Sequence, residues 1–456
     1  MEFNLSLPSI PQHGHQMKFS VYYSDNPTTT RAGFGRAAHL PCIFDARPGY
    51  HRFASHYLLD RGLAIWHPIT RRGPARNNPP SDQTMRNYAH WLVNFLEWAE
   101  LRNIDLVTCT YRDHVQGRYQ AEMLNGIWSC DGSGLSPRTV NLRVQQACDY
   151  LSWLEDNSHR QPFEIPCDTV LLKGRSSLSA VGHAAQYVNV RKGKVREASK
   201  IIHMPASSDL KIWLKDVYEK VGHIRGLMCE TILLSGLRRE ELCCLRTNTL
   251  PLNPSDWELS SSGTPLAQQR VQIKLQYGTK GPSYGHDHGD KIGPARFIWI
   301  PLHLAERIHE YRMKMRSPAL KTWVNQATTL DEKRRRVNDA VHLFIDEKSG
   351  RRVSAKKLYS AWTCGALPVK GWAPHQGRHW WACSTLLQEM KRHERLRDLG
   401  IGVAAALLES TAMSILRLQI QPQLGHRHDS STMIYLKWAI AALGESLPIL
   451  YESGPQ

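Results

Sequence analysis

Four separated segments in the second half of the chain carry side chains that can act together on a phosphodiester. The segments are SGLRREEL (235–242), YGTKG (277–281), HQGRH (375–379) and LGH (424–426), and a tyrosine, Tyr435, follows nine residues after the last histidine. Their candidate side chains are the arginines Arg238 and Arg378, a lysine and several histidines. Breaking a phosphodiester without a metal requires an oxygen nucleophile, neutralisation of the charge that develops at phosphorus, and a proton for the leaving oxygen. These residue types can provide all three.

The positions of these residues fit such a division of work. Arg238 and Arg378 suit a phosphate, because a planar guanidinium binds two oxygens at once and keeps its charge. Ser235 is predicted to cap a helix and to place Arg238 in its first turn, near the positive end of the helix dipole. His375 and Arg378, three residues apart, would project from one helical turn. Lys280 would lie at the mouth of a hairpin, where a desolvated ammonium beside two guanidiniums can release a proton.

The four segments, taken in this order, resemble the catalytic domain of the tyrosine recombinase (phage integrase) family. That family's pattern is G-L-R-x-x-E-L, a lysine in a hairpin, H-x-x-R-H, and L-G-H with the nucleophilic tyrosine nine residues later, and the chain matches it at each of these points. The resemblance implies that Tyr435 is the nucleophile, that Lys280 is the general acid, and that His375 accepts the proton of Tyr435. It also makes His426 a hydrogen-bond donor to a non-bridging oxygen of the phosphate.

Other positions around the proposed site are open to more than one interpretation. Glu241 would orient the region of the first arginine. His379 is equally suited to approaching the site and to bracing the packing of its helix. The hairpin that follows Lys280 is long for the family, so Lys291 or Lys274 could be the general acid instead.

The same long hairpin contains alternating His and Asp residues, which are plausible zinc ligands: His286, Asp287, His288 and Asp290. A Gly-rich hairpin tip needs polar residues for solubility in any case, and four candidates on one loop rarely form a metal site. We therefore predict neither a metal nor a cofactor.

Hydrophobic periodicity predicts the elements that hold these residues. Apolar residues recur at helical spacing from Met85 onwards, after a breaker cluster at Asn77–Pro80, and again after Ser136. Strand-like alternation occurs at 271–275 and 297–300, on the two sides of the hairpin. The predicted fold class is a multidomain, mainly α protein. It would combine a helical core-binding domain with a mixed α/β catalytic domain that contains a small antiparallel sheet.

These patterns divide the chain into four parts. We predict a basic and poorly periodic N-terminal extension, a helical (SAM-like) core-binding domain, a basic linker and a catalytic domain with a C-terminal tail, at 1–80, 81–160, 161–203 and 204–456. An insert around 391–409 is predicted to form an added helix pair. The apolar residues of the tail, 447–451, could dock on a neighbouring protomer or equally on their own domain.

The overall charge favours a polyanionic partner. The 456 residues include 58 Lys and Arg against 41 Asp and Glu, which gives a formal net charge of +17, and phosphate contacts by basic residues release counterions. The alternative is that this charge serves only solubility. Candidate DNA contacts lie in the core-binding domain and the linker: Arg138, Arg143, Arg191, Lys192, Lys194 and Arg196.

The same composition argues against secreted and membrane proteins. No apolar run approaches the ~20 residues needed to cross a bilayer, no secretory signal is visible, and ten cysteines without a CxxC pair are too few for a disulfide scaffold. We predict a cytoplasmic, nucleoid-associated protein.

The sequence and its resemblance thus predict a site-specific DNA recombinase or integrase that forms a 3′-phosphotyrosyl intermediate. It would serve integration, excision or transposition of a mobile element, and would act as a tetramer on two double-stranded DNA sites, with a dimer at each and possible participation of other recombinases of the element. A type IB topoisomerase-like relaxase and a catalytically silent DNA-binding accessory protein are the alternatives.

Overall fold

The computed structural model describes residues 19–24, 26–45, 49–68, 79–172, 186–197, 202–260, 263, 265–279, 283–284, 290–392, 410–426 and 432–444. The chain divides into two compact units, residues 1–199 and 200–456. Both units are mainly helical and contain small antiparallel sheets. This confirms the predicted fold class.

The first unit is built from helices with two strand pairs. Its elements in chain order are β1 (Phe19–Tyr23), α1 (Asn26–Arg31), β2 (Pro41–Asp45), α2 (Arg52–Gly62), α3 (Asp82–Leu101), a π-helical segment (Tyr111–Gln120) that continues as α4 (Ala121–Leu124), α5 (Pro137–Asp156), β3 (Cys167–Leu172) and β4 (Gln186–Arg191). Strands β1 and β2 pair antiparallel, as do β3 and β4.

Serine caps start the two long helices of this unit. The Ser81 side chain accepts a hydrogen bond from the backbone N–H of Thr84, and Ser136 does the same for Thr139. Each cap satisfies a backbone donor that has no partner within the first helical turn. The apolar faces of α3 and α5 then pack into one core.

Residues before the predicted boundary at residue 80 also belong to this core. Ile43 of β2 and Tyr57 of α2 are fully buried in the same cluster as Leu92 of α3 and Val144 of α5. The two strands are five residues long and α2 only eleven, so each is too short to show a strong period in the sequence. The predicted linker likewise contains the β3–β4 hairpin.

The second unit contains the four motif segments. Its elements are α6 (Ser207–Val221), α7 (His223–Ser235), α8 (Arg239–Cys243), 3₁₀ turns at Pro254–Asp256 and Leu266–Gln268, β5 (Arg270–Tyr277), β6 (Ser283–Tyr284), β7 (Asp290–Pro301), α9 (Leu302–Tyr311), a π-helical segment (Arg312–Arg316), α10 (Ser317–Asn325), α11 (Leu330–Asp339), α12 (Ala355–Trp362), α13 (Pro374–Arg392), a helical turn at 410–415, a second π-helical segment (Leu416–Ile420), a short helix (Gln421–Leu424) and a C-terminal helix (Met433–Gly444).

The sheet of this unit has the order β5-β7-β6, with β7 in the centre. Val271 lies opposite Ile300 and Ile273 opposite Ile298, which confirms the two strands predicted from alternation. All four side chains are buried, because residues two apart in a strand point to the same face. This face of the sheet packs into the main core of the unit.

Helix α13 and the C-terminal helix share a second core. Cys383 and Leu386 of α13 pack with Tyr435 and Leu436 of the C-terminal helix. Among the helices within the described ranges, none combines the length and apolarity needed to cross a membrane. The predicted helix pair at 391–409 lies outside the described residues except for the last two residues of α13, and the predicted docking tail lies outside them entirely.

Candidate active site

The first arginine of the site lies where α7 ends and α8 begins. Ser235 is the last residue of α7, and Gly236 closes that helix with a φ of 67°, a conformation that glycine adopts without steric cost. Arg238 is the residue that caps α8. The prediction that Ser235 caps the helix carrying Arg238 is therefore wrong, because the Ser235 hydroxyl is used within α7, where it donates to the carbonyl of Thr231.

Glu241 holds Arg238 in place. Its Oε2 accepts the Arg238 backbone N–H at 2.9 Å, and its Oε1 accepts Nη1 of the Arg238 side chain at 2.8 Å. The side chain of Glu241 is fully buried, whereas that of Arg238 is 28% exposed. The carboxylate thus fixes the arginine from the interior and leaves part of its guanidinium accessible.

A second arginine, Arg296 of β7, forms two hydrogen bonds with the same carboxylate. Its Nη1 and Nη2 donate to the two oxygens of Glu241 at 2.8 Å each, and its Nε donates to the carbonyl of Gln423 at 3.2 Å. Burial acts to raise the pKa of Glu241, but the hydrogen bonds and charge of Arg296, together with the charge of Arg238, outweigh it and lower the pKa to about 2. Glu241 is therefore ionised at neutral pH.

Arg378 of α13 is the most deeply buried of these arginines, with 1% of its side chain exposed. Its Nη1 donates to the carbonyl of Gly236 at 2.6 Å, and its Nη2 donates to the carbonyl of Leu424. Burial, followed by the nearby charge of Arg238, lowers its pKa to about 9, so it stays charged at neutral pH. Arg378 thereby joins the GLR, HxxR and LGH segments at one point.

Tyr435 enters the same region from the C-terminal helix. It is fully buried, and its hydroxyl lies 2.9 Å from Nδ1 of His379. Burial raises the pKa of Tyr435, while the charge of Arg378 acts in the opposite direction. The phenol is therefore protonated at neutral pH, and its oxygen lies within hydrogen-bond distance of a histidine nitrogen.

The other two motif histidines, His375 and His426, lie beside this pair. The His375 side chain is exposed, and its ring meets that of His379 edge-on, with the centroids 4.3 Å apart. The His426 ring is parallel to that of Tyr435 at 6.3 Å, and its Nδ1 lies 3.3 Å from the Thr432 hydroxyl. Burial, and then the charges of Arg378 and Arg238, lower the pKa of His426 to about 3. His426 is therefore neutral and keeps one ring N–H to donate.

The structure brings the hairpin towards the site up to the residue before the expected lysine. Lys280 and the His286–His288 stretch lie outside the described residues, whereas Gly278 lies so close to the start of α8 that a Cβ there would be 2.7 Å from the carbonyl oxygen of Glu240. Of the two alternative lysines, Lys274 is exposed on β5 and Lys291 lies on β7 opposite Ser283. Within the described part of the chain, no group of three or more His, Cys, Asp or Glu side chains could hold a metal.

The chain is similar to solved structures of recombinases and of a transposon integrase. The XerH site-specific recombinase, bound to a palindromic difH substrate in a post-cleavage complex, is 16% identical; the match covers 81% of this chain and 80% of that chain, with a TM-score of 0.44. The Tn1549 transposon integrase in complex with a circular-intermediate DNA is 15% identical over 79% of this chain and 90% of that chain, with a TM-score of 0.43. The XerA recombinase is 14% identical over 80% and 92%, with a TM-score of 0.31.

No protein-family model and no curated protein matches the chain. These similarities to solved structures are remote. The function is therefore inferred from the chemistry of the site.

Two residues that sequence reasoning missed complete the site. Arg296 clamps Glu241, and Gln423 donates to the carbonyls of Ser235 and Trp299 at 3.0 and 2.8 Å while accepting the Trp299 N–H at 2.9 Å. Both belong to segments without a recognisable motif. The one available signal was the position of Gln423 immediately before the LGH segment.

Four of the candidate DNA contacts in the first unit are exposed. Arg138 lies in the first turn of α5, and Lys192, Lys194 and Arg196 follow β4. Lys192 forms an exposed ion pair with Asp168 at 3.1 Å, an interaction that contributes little to stability. All four are accessible to a phosphate backbone.

The other two candidates have partners inside the unit. Nη1 of Arg143 donates to Asn94 at 3.1 Å. Arg191 is only 7% exposed and donates to the Tyr111 hydroxyl and to Gln120. Arg191 therefore fastens the β3–β4 hairpin to the helix at 111–120, and it is excluded from the proposed DNA contacts. A basic run does not reveal which of its side chains turns inward.

Proposed function

We propose that this chain is a tyrosine recombinase, an enzyme that breaks and rejoins DNA strands through a covalent link between Tyr435 and a 3′-phosphate. The observation that supports this most directly is the convergence of Tyr435, Arg238, Arg378 and the motif histidines, which come from distant segments of the chain. Tyrosine and histidine supply a nucleophile with an adjacent base. The guanidiniums supply fixed positive charge where a phosphorane would develop negative charge.

The proposed reaction has two halves. In the first, the hydroxyl oxygen of Tyr435 bonds to phosphorus, the bond to the 5′-oxygen breaks, and the 5′-oxygen takes a proton from the general acid. Lys280 is the proposed acid, with Lys291 as the alternative. In the second, the 5′-hydroxyl of another strand attacks the phosphotyrosine and releases Tyr435. The energy of the broken bond is kept in the protein–DNA link, so neither ATP nor a metal is required.

Arg238, Arg378 and His426 are proposed to hold the non-bridging oxygens. Arg238 is partly exposed and already oriented by Glu241, so it can bind a phosphate without reorganising. His426 is neutral and can donate one hydrogen bond. A catalytically silent accessory protein would have no need to keep every one of these groups in one place.

The partner proposed for this chemistry is double-stranded DNA carrying a recombination site. The net charge of +17 supports a polyanionic partner, and XerH and the Tn1549 integrase are both solved with DNA. We infer that the chain acts as a dimer at each site and a tetramer in synapsis, in the cytoplasm with the nucleoid, and that it moves a mobile element. Other recombinases of that element are possible partners.

Covalent trapping tests the proposal. A nicked suicide substrate that contains the ends of the chain's own element loses the attacking 5′-hydroxyl after cleavage, so the adduct accumulates. We expect a protein–DNA adduct in excess EDTA without ATP, and none for Tyr435→Phe, which retains DNA binding. Tyr359→Phe, a change at an exposed tyrosine of the same unit, is the matched control and forms the adduct. An adduct with Tyr435→Phe, or a strict magnesium requirement, would refute the proposal.

A further inference from the structure

We propose that His379 is the general base that takes the proton of Tyr435 during cleavage and returns it during rejoining. This inference rests on the proposed function and assigns a step of it to a particular atom, Nδ1 of His379. The HxxR histidine, His375, is the residue to which the resemblance gives that role. The geometry points instead to the histidine that follows Arg378.

The position of Nδ1 is the first support. It lies 2.9 Å from the Tyr435 hydroxyl, within the reach required of a general base. The phenol is the donor of this pair when Nδ1 carries no proton, so the imidazole is then neutral with its hydrogen on Nε2. No movement of either side chain relative to the other is needed for the transfer.

The burial of Tyr435 is the second support. None of its surface is exposed, so bulk water does not reach the hydroxyl to accept its proton. Burial also raises the pKa of this phenol, which makes spontaneous ionisation rarer than for an exposed tyrosine. A base that is already in contact has the largest effect at such a site.

The packing around the pair is the third support. Cys383 and Leu386 of α13 are buried against Leu436 of the C-terminal helix, so the two helices that carry His379 and Tyr435 are fixed to each other. His375, by contrast, is exposed, and its ring contacts that of His379 edge-on. His426 lies with its Nδ1 towards Thr432.

The hydroxyl oxygen of Tyr435 forms its bond to phosphorus while its proton moves to Nδ1 of His379, which becomes an imidazolium. The bond from phosphorus to the 5′-oxygen breaks, and its electron pair stays on that oxygen, which is protonated by the general acid. In rejoining, the imidazolium returns the proton to the departing oxygen of Tyr435.

Two chemical substitutions separate the base from the acid. A fluorinated tyrosine incorporated at position 435 has a more acidic phenol, so it needs a base less. A 5′-bridging phosphorothioate has a better leaving group, so it needs an acid less. The base variant is therefore rescued by the first substitution and not by the second.

The experiment measures single-turnover adduct formation by the full chain on a suicide substrate. His379→Gln is expected to cleave on the order of a hundredfold more slowly than the unmodified chain, with unchanged DNA binding, and to recover most of this loss with fluorotyrosine at position 435. The phosphorothioate substrate gives it no comparable recovery. His375→Gln is the matched control, and fluorotyrosine gives it no specific recovery. His379→Asn with the same melting temperature as the unmodified chain serves if the glutamine variant misfolds.

The outcomes distinguish this inference from the proposed function. If the unmodified chain forms the adduct and His379→Gln does so at the same rate, His379 is not the base although the enzyme is a recombinase. If His379→Gln is slow and fluorotyrosine does not rescue it, His379 only positions Tyr435, and the inference is again overturned. If no adduct forms with the unmodified chain, the proposed function itself fails and the inference fails with it.

Discussion

At the level of single residues, the carboxylate of Glu241 lies among three guanidinium groups. Arg238 and Arg296 donate to it directly, and Nη1 of Arg378 lies 4.0 Å from its Oε2. One negative charge therefore accompanies three positive charges, which leaves an excess of positive charge for a phosphate. The buried carboxylate orients the arginines without cancelling their charge.

Loss of Arg238 is expected to affect catalysis far more than stability. In Arg238→Ala we expect the cleavage barrier to rise by about 3 kcal/mol or more, at least a hundredfold in rate, because a preorganised charged donor is removed. Arg239→Ala, a change at the exposed neighbouring residue that pairs with Glu240, is the control. Single-turnover cleavage measures both, and equal rates for the two variants would contradict the role of Arg238. Arg378→Ala is expected to lose a similar amount of rate and, being buried, stability as well.

The ionised state of Glu241 contributes to stability in a defined pH range. Its pKa is about 2 in the folded chain against 4.5 as the ordinary value, so its contribution is fully present above pH 4.5 and is lost as the pH falls towards 2. We expect the difference in free energy of unfolding between the unmodified chain and Glu241→Gln to shrink by about 2 kcal/mol between pH 6 and pH 3.

Urea unfolding at a series of pH values measures this difference. Glu240→Gln, a change at the exposed neighbouring carboxylate, is the matched control, and no comparable narrowing is expected for it. A constant difference for Glu241→Gln across this range would show that the carboxylate is not held in its ionised state by the arginines.

The sequence predicts which residues belong to this site better than it predicts which of them contact one another. Arg238, Glu241, Arg378 and Tyr435 each stand in a motif, and the structure brings them together. Arg296 stands in an ordinary strand, and its partner is 55 residues away in the chain, so local pattern carries no sign of it. Which histidine of HxxRH meets Tyr435 depends on how α13 is rotated against the C-terminal helix, a result of packing that spacing alone does not determine.

At the level of elements, α13 approaches α12 through a glycine of its own motif. A Cβ on Gly377 would lie 2.3 Å from Cη2 of the fully buried Trp362. The absence of a side chain therefore permits the close contact of these two helices. Arg378 and His379 follow immediately, so this contact sets the depth at which they enter the site.

Gly377→Ala is expected to destabilise the chain by about 1–3 kcal/mol, because overpacking a fixed core forces backbone shifts. We also expect slower cleavage, since Arg378 and His379 would move with the helix. Trp362→Phe removes the ring atoms that the new methyl group would meet. The double variant is therefore expected to lose less free energy of unfolding than the two single variants lose in sum. Urea unfolding of all four proteins measures this coupling, and strict additivity would argue against the contact.

Elements with strong periodicity are predicted well from the sequence, and short ones are not. Helices α3 and α5 and strands β5 and β7 have long apolar faces and clear caps or alternation. The β1–β2 pair and α2 are short and draw their stability from burial against α3 and α5, which is a tertiary effect. The prediction for Ser235 is wrong because a serine before a glycine can also end a helix, and the sequence does not distinguish the two positions.

At the level of the whole molecule, the net charge of +17 would assist the proposed DNA binding only through basic side chains that are exposed. Lys192, Lys194 and Arg196 are exposed next to one another, whereas Arg191 is turned inward. Replacing these three exposed residues with glutamine is expected to weaken binding to all DNA sequences and to lower the slope of log K against log salt by up to about 2.7, or 0.9 for each phosphate contact.

Fluorescence anisotropy at a series of salt concentrations measures this slope. A variant with glutamine at Lys211, Lys215 and Lys220, exposed on α6, has the same net charge and serves as the control. If both variants change the slope equally, total charge alone explains binding, and the segment after β4 has no specific role.

For the proposed enzyme, the complete burial of Tyr435 has a consequence for substrate discrimination. A phosphorus atom cannot reach the hydroxyl until the groups that cover the His379–Tyr435 pair move aside, and a ligand with many contacts can supply the free energy for that movement. Dinucleotides and small activated phosphodiesters, which offer few contacts, would then be left uncleaved. The shielded nucleophile would thereby protect unrelated DNA from nicking, because the chain becomes reactive only after it has recognised its site.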